Sequence, residues 1–208
     1  HILYMVISGV LTAVLLILAK RCVRNDKTKN RILWLSAIST VVIHYSNLWV
    51  NFFVSGGNVT IENNHILPVY PCNVVMWCAF IYGLMSNKES KIALIFSDYI
   101  FWFGIASTLV GMFANVDFIN NPTLADYNNF KSIAAHATLL FNVLLLPIFG
   151  HIKINIKRNL LNIIISIFVM AAIGFYCNLV FYVLVSAEAA YDVNSMFLIH
   201  SPFEGLDF

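Results

Sequence analysis

The sequence predicts an all-α membrane protein, a polytopic helix bundle with six transmembrane helices. Of its 208 residues, 60% are hydrophobic and only 11% are charged, a composition that suits a bilayer-embedded chain better than a water-soluble domain. The apolar residues also fall into six segments, each long enough to cross a hydrocarbon core of about 30 Å as a helix. These segments are residues 3–19, 32–54, 67–85, 92–113, 130–149 and 160–185. Because they take up most of the chain, residues 1–208 are predicted to form a single transmembrane domain.

The basic residues are concentrated in alternate connections between these segments. The cations lie in the first, third and fifth connections, as Lys20, Arg21, Arg24, Lys27, Lys29, Arg31, Lys88, Lys91, Lys153, Lys157 and Arg158. The second connection has no Lys or Arg, and the fourth has only Lys131 at its edge. The positive-inside rule therefore predicts that the three basic connections are cytoplasmic and that both termini are extracytoplasmic. The net charge of +2 is mostly loop charge that orients the chain, so no nucleic-acid partner is indicated.

Polar residues within the apolar segments are predicted to collect in one layer near the outer surface. Polar side chains are costly in lipid, so they usually face the bundle interior and often mark a site. The predicted substrate-binding residues of this layer are His1, His44, Asn47, Tyr70, Asn178 and Tyr182. Asp98, in the inner half of the fourth segment, is the main exception, and we expect it to have a structural role.

The third segment begins with the motif Pro68-Val69-Tyr70-Pro71-Cys72-Asn73. Proline is favoured at the first position of a helix, so Cys72 is predicted to lie in the first turn, where backbone N–H groups have no intrahelical partner. Those groups would stabilise a thiolate or an oxyanion, and Asn73 could add a further donor. His136, at a similar depth in the fifth segment, is the predicted general base. The alternative is that Cys72 is only a small buried residue at a helix start.

The same motif resembles the Pro-Leu-His-Leu-Cys-Asp signature of the YwaF-type bacterial integral membrane proteins, distant relatives of the transmembrane-protein-164 acyltransferases. Further similar segments are His1, Tyr99 to Gly104, Phe130 to His136, and Asn194 to Leu198 followed by Pro202 and Gly205. The resemblance implies a membrane protein of six or seven spans and cysteine-dependent acyl transfer between phospholipids. This chain has Tyr70 in place of the signature His and Asn73 in place of the signature Asp.

The sequence and the resemblance together predict a membrane-embedded acyltransferase that remodels phospholipids, with Cys72, His136 and Asn73 as catalytic residues. Its partners would be a membrane phospholipid or lysophospholipid, its location the bacterial plasma membrane, and no cofactor is predicted. A non-catalytic solute-binding or permease-type protein that uses the same outer cavity is the alternative. A third possibility is a Zn²⁺ site formed by His1, His44 and His136, because three imidazoles from different helices could hold that ion.

Overall fold

The computed structural model describes residues 2–54, 67–113, 116–153 and 155–199, and every regular element within these ranges is helical. The elements in chain order are α1 (Ile2–Cys22), α2 (Asp26–Val54), α3 (Pro71–Leu84), α4 (Lys91–Phe113), α5 (Val116–Asn120), α6 (Tyr127–Ile148), α7 (Ile156–Leu184), α8 (Ala187–Val193) and a 3-10 turn (Ser195–Phe197). The predicted all-α class is therefore confirmed for the described residues.

Five of the described helices are long and apolar enough to cross a membrane, namely α1, α2, α4 (with α5 as its extension), α6 and α7. The third predicted segment takes a different form. Residues 67–70 are not helical, and α3 has only 14 residues. A helix of that length rises about 21 Å, which is less than the hydrocarbon thickness of about 30 Å. The segment therefore enters the bundle as an extended stretch followed by a short helix.

Local capping explains where the later helices begin and end. Asp126 caps α6 by accepting a hydrogen bond from the Asn129 backbone N–H, and Asn155 caps α7 in the same way through Arg158. At the other end of α6, Gly150 adopts a φ of +79°, the left-handed conformation that commonly terminates a helix. The caps at Gly150 and Asn155 fix the two ends of the connection between α6 and α7 at the surface of the bundle.

The centre of the bundle consists of α2, α3, α4 and α6, which pack against one another. Helix α1 packs on α6, and α7 packs on α4, so both lie at the periphery. Their outward faces carry many exposed apolar side chains, such as Val6, Val10, Leu161 and Phe168. Exposed apolar surface of this extent is what a lipid-facing helix presents, since lipid tails are as apolar as these side chains.

The connections α1–α2, α3–α4 and α6–α7 meet at one end of the bundle, which we call the basic end. Lys153 forms an ion pair with Glu89 across two of these connections, at 3.2 Å between Nζ and Oε1. His151, in the α6–α7 connection, lies within electrostatic range of Lys88 in the α3–α4 connection. It is also within range of Asp26 and Lys29 at the start of α2. The three cation-rich stretches of the sequence are therefore neighbours in the fold.

Candidate functional site

The candidate site lies at the start of α3, at the end of the bundle opposite the basic end. Pro71 occupies the first helical position, as its fixed φ and missing N–H favour. Tyr70 precedes it in an extended conformation, with φ −116° and ψ 154°. The Tyr70 backbone N–H donates to Asn73 Oδ1 at 3.1 Å, so the Asn73 side chain folds back over the helix start. This places Cys72 in the first turn, as the sequence predicts.

A hydrogen-bonded group joins this turn to α2. Asn73 Nδ2 lies 2.8 Å from His44 Nε2, and the Cys72 thiol donates to Asn73 Oδ1 at 4.0 Å. An amide nitrogen only donates, so His44 Nε2 accepts, and in the neutral imidazole the proton is then on Nδ1. Asn73 is buried, while Cys72 and His44 are half-buried. Cys72, Asn73 and His44 therefore form one polar cluster, which we call the Cys72 cluster.

Aromatic side chains border the Cys72 cluster on the α2 side. The Tyr45 ring makes an edge contact with His44 and a tilted contact with Trp77, at centroid distances of 4.8 and 5.9 Å. The Trp77 Nε1–H donates to the Tyr45 hydroxyl at 3.2 Å. Tyr45, itself held by Trp77, therefore packs against the ring of His44.

Tyr99 of α4 is a site residue that the sequence analysis did not single out as functional. Its phenol lies within electrostatic range of Cys72 and of Cys78. The residue is 7% exposed, and its hydroxyl has no hydrogen-bond partner among the described residues. A buried hydroxyl normally has a partner, so the Tyr99 hydroxyl is a buried donor whose hydrogen-bonding capacity is unused among the described residues. Its only signal in the sequence is the aromatic-Trp-Gly segment in which it lies.

The C-terminal 3-10 turn packs against the entry to α3. The Met196 backbone N–H donates to the Val69 carbonyl at 2.8 Å, and the rings of Tyr70 and Phe197 lie 5.9 Å apart. Asn178 of α7 holds the same turn, accepting from the Ser195 N–H at 2.8 Å. The role of Asn178 in the structure is thus to bind the backbone of the turn.

His136 lies apart from the Cys72 cluster. Its Nδ1–H donates to the Ser132 carbonyl at 2.8 Å within α6, and its Nε2 packs against the backbone of Gly111 on α4. Within the described part of the chain, no hydrogen bond joins His136 to Cys72. The structure therefore connects His44, rather than His136, to the thiol-bearing turn.

The remaining predicted site residues occupy varied positions. Asn47 is buried on α2, three residues after His44, and Tyr182 is 60% exposed on the outward face of α7. His1 lies outside the described residues, so the proposed Zn²⁺ site does as well. Across residues 2–54, 67–113, 116–153 and 155–199, no group of three or more His, Cys, Asp or Glu side chains is placed to hold a metal ion.

Asp98 forms a second polar cluster near the basic end. Its carboxylate accepts from Arg158 Nε at 3.0 Å, from Arg158 Nη2 at 3.2 Å and from Asn162 Nδ2 at 2.8 Å. The Asp98 side chain is fully buried, whereas that of Arg158 is 29% exposed. This ion pair agrees with the structural role expected for Asp98. The sequence signal for this pair is an acid within the fourth apolar segment and a cation in the fifth connection.

Comparison with known proteins gives the family. The model of the TMEM164 family matches the chain over residues 1–208. This chain belongs to the TMEM164 family. No curated protein and no solved structure matches it. Membership in the TMEM164 family, together with the apolar helices, establishes an integral membrane protein, and the closer resemblance to the YwaF-type proteins stays a prediction.

Proposed function

We propose that this protein is a membrane-embedded acyltransferase that remodels phospholipids, with Cys72 as its nucleophile. The observation that carries the proposal is the Cys72 cluster, in which a first-turn thiol and an imidazole from another helix share one asparagine. In the first turn of α3, Pro71 has no N–H and the N–H groups of Asn73 and Val74 donate to the Tyr70 carbonyl. The Cys72 N–H is the remaining first-turn donor that would favour a thiolate or an oxyanion here. Membership in the TMEM164 family agrees with the acyl transfer that the motif resemblance implies.

The reaction would proceed in two transfers. The Cys72 sulfur attacks the ester carbonyl carbon of a phospholipid as a histidine takes the thiol proton. The C–O ester bond then breaks, and the lysophospholipid leaves with that proton, so the acyl group remains on sulfur as a thioester. The hydroxyl of a second lysophospholipid next attacks the thioester, its proton passes to the histidine, and the sulfur leaves as a thiol. The Cys72 backbone N–H and the Tyr99 hydroxyl are the proposed donors to the tetrahedral oxyanion.

Two histidines are candidates for the base. His44 is favoured because Asn73, which also contacts the Cys72 thiol, holds the His44 Nε2 atom at the thiol-bearing turn. To act as the base, Nε2 would exchange the Asn73 amide donor for the thiol proton. His136, the base predicted from the sequence, has the same accepting Nε2, but that atom packs against Gly111. Asn73 acts in either case as a positioning residue, since it contacts both the thiol and His44. Tyr70, Asn47 and Tyr182 would contribute to lipid binding around the site, and Asn178 would do so through the turn that it holds against the start of α3.

We further propose six membrane crossings, with α3 and the extended residues 67–70 as the third. Both termini and the Cys72 cluster would then lie on the extracytoplasmic side, and the basic end in the cytoplasm. The acyl chains would pass between helices while the head group meets the polar layer near His44. The bacterial plasma membrane is the proposed location, as the YwaF-type resemblance implies.

Lipid remodelling by the purified protein tests this function. The protein is incubated with a phospholipid that carries a deuterated acyl chain and with an unlabelled lysophospholipid, and products are quantified by mass spectrometry. We expect label transfer by the parent protein and none by Cys72→Ala. Cys78→Ala is the matched control, because it lies on the same helix and is also half-buried. His44→Ala should slow transfer by about 10²–10⁴-fold, the contribution of a general base.

The variants also separate the alternatives. If His136→Ala reduces transfer by that factor and His44→Ala does not, His136 is the base, as predicted from the sequence. If Cys72→Ala transfers label as well as the parent does, or if the folded parent transfers none, the acyltransferase proposal is wrong. A solute-binding or permease-type function would then be the better account of the same polar layer.

A further inference from the structure

We propose that the groove between α4 and α7 at the basic end binds the phosphate head group of an anionic membrane lipid. This open groove has a volume of about 210 Å³ and is lined by Lys91, Leu94, Ile95, Arg158 and Asn162. It lies at the other end of the bundle from the Cys72 cluster and is independent of the proposed enzymatic function.

The groove has two cationic donors available for a phosphate. The Lys91 ammonium and the Arg158 Nη1 group have no hydrogen-bond partners among the described residues, although Arg158 Nε and Nη2 are engaged. Lysine and arginine are the side chains that most often bind phosphate, as a point charge and as a planar fork respectively. Two such groups from different helices on one groove would hold a single phosphate between them.

The buried carboxylate beside the groove orients Arg158 and does not block an anion. Asp98 accepts two hydrogen bonds from Arg158 and one from Asn162, and its side chain is fully buried. The guanidinium is therefore fixed in direction before any ligand binds, which reduces the ordering cost of binding. Lys91 and the free face of Arg158 remain as the charges that a ligand in the groove would meet.

The apolar part of the groove indicates a lipid as the source of the phosphate. Leu94 and Ile95 line it beside the cations, and α4 and α7 carry further exposed apolar side chains toward the middle of the bundle, among them Trp102, Ile165 and Phe168. A soluble anion would gain nothing from that surface, whereas a lipid can place its head group on the cations and its chains along the helices. Basic pockets between membrane helices near a basic surface are typical sites for anionic lipid head groups.

Lipid titration of the full-length protein tests this site. The protein is held in a neutral detergent, and native mass spectrometry measures the binding of phosphatidylglycerol and, separately, of phosphatidylcholine with the same acyl chains. We expect one saturable phosphatidylglycerol and a clearly lower affinity for phosphatidylcholine. Lys91→Gln should weaken phosphatidylglycerol binding about fivefold, the effect expected of one cation near an anionic head group. Ile95→Trp should abolish it by filling the groove.

The controls distinguish a built site from general attraction. Lys27→Gln removes an exposed cation from the same end of the bundle outside the groove, and it should leave the affinity unchanged. Inorganic phosphate at millimolar concentration should not displace the lipid. Equal losses in Lys91→Gln and Lys27→Gln would show non-specific attraction, and full displacement by phosphate would show a soluble-anion site. Equal affinity for the two lipids would show that the head-group charge does not matter for binding. Each of these three results would overturn the proposal.

Discussion

Asn73 is the residue on which the geometry of the candidate site depends. Its amide oxygen binds the Tyr70 N–H and the Cys72 thiol, and its amide nitrogen binds His44. The signature of the resembling bacterial proteins has Asp at this position, and a carboxylate could not donate to His44. With asparagine, the amide donates to His44 Nε2, so this nitrogen is an acceptor that faces the thiol-bearing turn. Asparagine at this position thus holds the imidazole in a defined orientation, which is the positioning role proposed for it.

Gly111 leaves room for the imidazole of His136. A methyl group at Gly111 would overlap the imidazole of His136. Gly111→Ala should therefore destabilise the protein by about 1–3 kcal/mol, the usual cost of overpacking a well-packed interior. The measurement is the free energy of unfolding in a detergent titration. Gly9→Ala is the control, because nothing lies within 4 Å of its Cβ and an alanine there should be neutral or mildly stabilising.

The same pair of residues provides a check by double substitution. In a His136→Ala background, Gly111→Ala should cost little, since the ring that it displaces is gone. An equal cost of Gly111→Ala in both backgrounds would show that His136 does not pack against Gly111.

At the scale of the helices, the sequence predicted the position of each element better than its length. Five of the six predicted apolar segments form long helices with boundaries close to the predicted ones, because length and hydropathy decide such helices. In the third, the helix begins at Pro71 as the proline motif predicts, so only residues 71–84 of the predicted span 67–85 are helical. Proline favours extended backbone in the residue before it, and that local preference decided where α3 starts.

The sequence predicts how far along its helix each candidate site residue lies, but it does not predict which of these residues contact one another. Topology placed Cys72, Asn73, His44 and His136 in one layer, since each lies at a similar distance from a span end. Which histidine meets the thiol depends on the rotation of α2 and α6 about their axes. The sequence pattern gives little information on that rotation, because most faces of these helices are apolar. The Asn73–His44 hydrogen bond is therefore a finding of the structure.

The Asp98–Arg158 pair connects α4 to α7, and its loss should be costly. Asp98→Ala leaves the Arg158 guanidinium and the Asn162 amide without their shared acceptor. We expect a loss of about 2–3 kcal/mol in the free energy of unfolding, below the 3–5 kcal/mol typical of a buried pair because Arg158 is partly exposed. Asp98→Leu combined with Arg158→Met should recover most of the loss, as it removes both charges. A double variant no more stable than Asp98→Ala would contradict this account.

For the whole molecule, the alternation of basic and non-basic connections predicts the orientation in the membrane. The basic connections lie together at one end of the bundle, so all of them are on the same side of the membrane. In a background without the four native cysteines, Lys27→Cys should not react with a membrane-impermeant maleimide applied to intact cells. Thr60→Cys, in the second connection and outside the described residues, should react. The reverse pattern would move the Cys72 cluster to the cytoplasmic side.

The acyl-enzyme is the most direct test of the central claim that Cys72 attacks a lipid ester. The purified protein is mixed with a phospholipid of defined acyl chains without an acceptor, and its intact mass is measured at short times. The account predicts a mass increase of one acyl group that maps to the Cys72 peptide, is released by hydroxylamine as a thioester should be, and is absent in Cys72→Ala but present in Cys78→Ala. An unmodified Cys72 in a protein that nevertheless remodels lipids, or an acyl group on another residue, would contradict it.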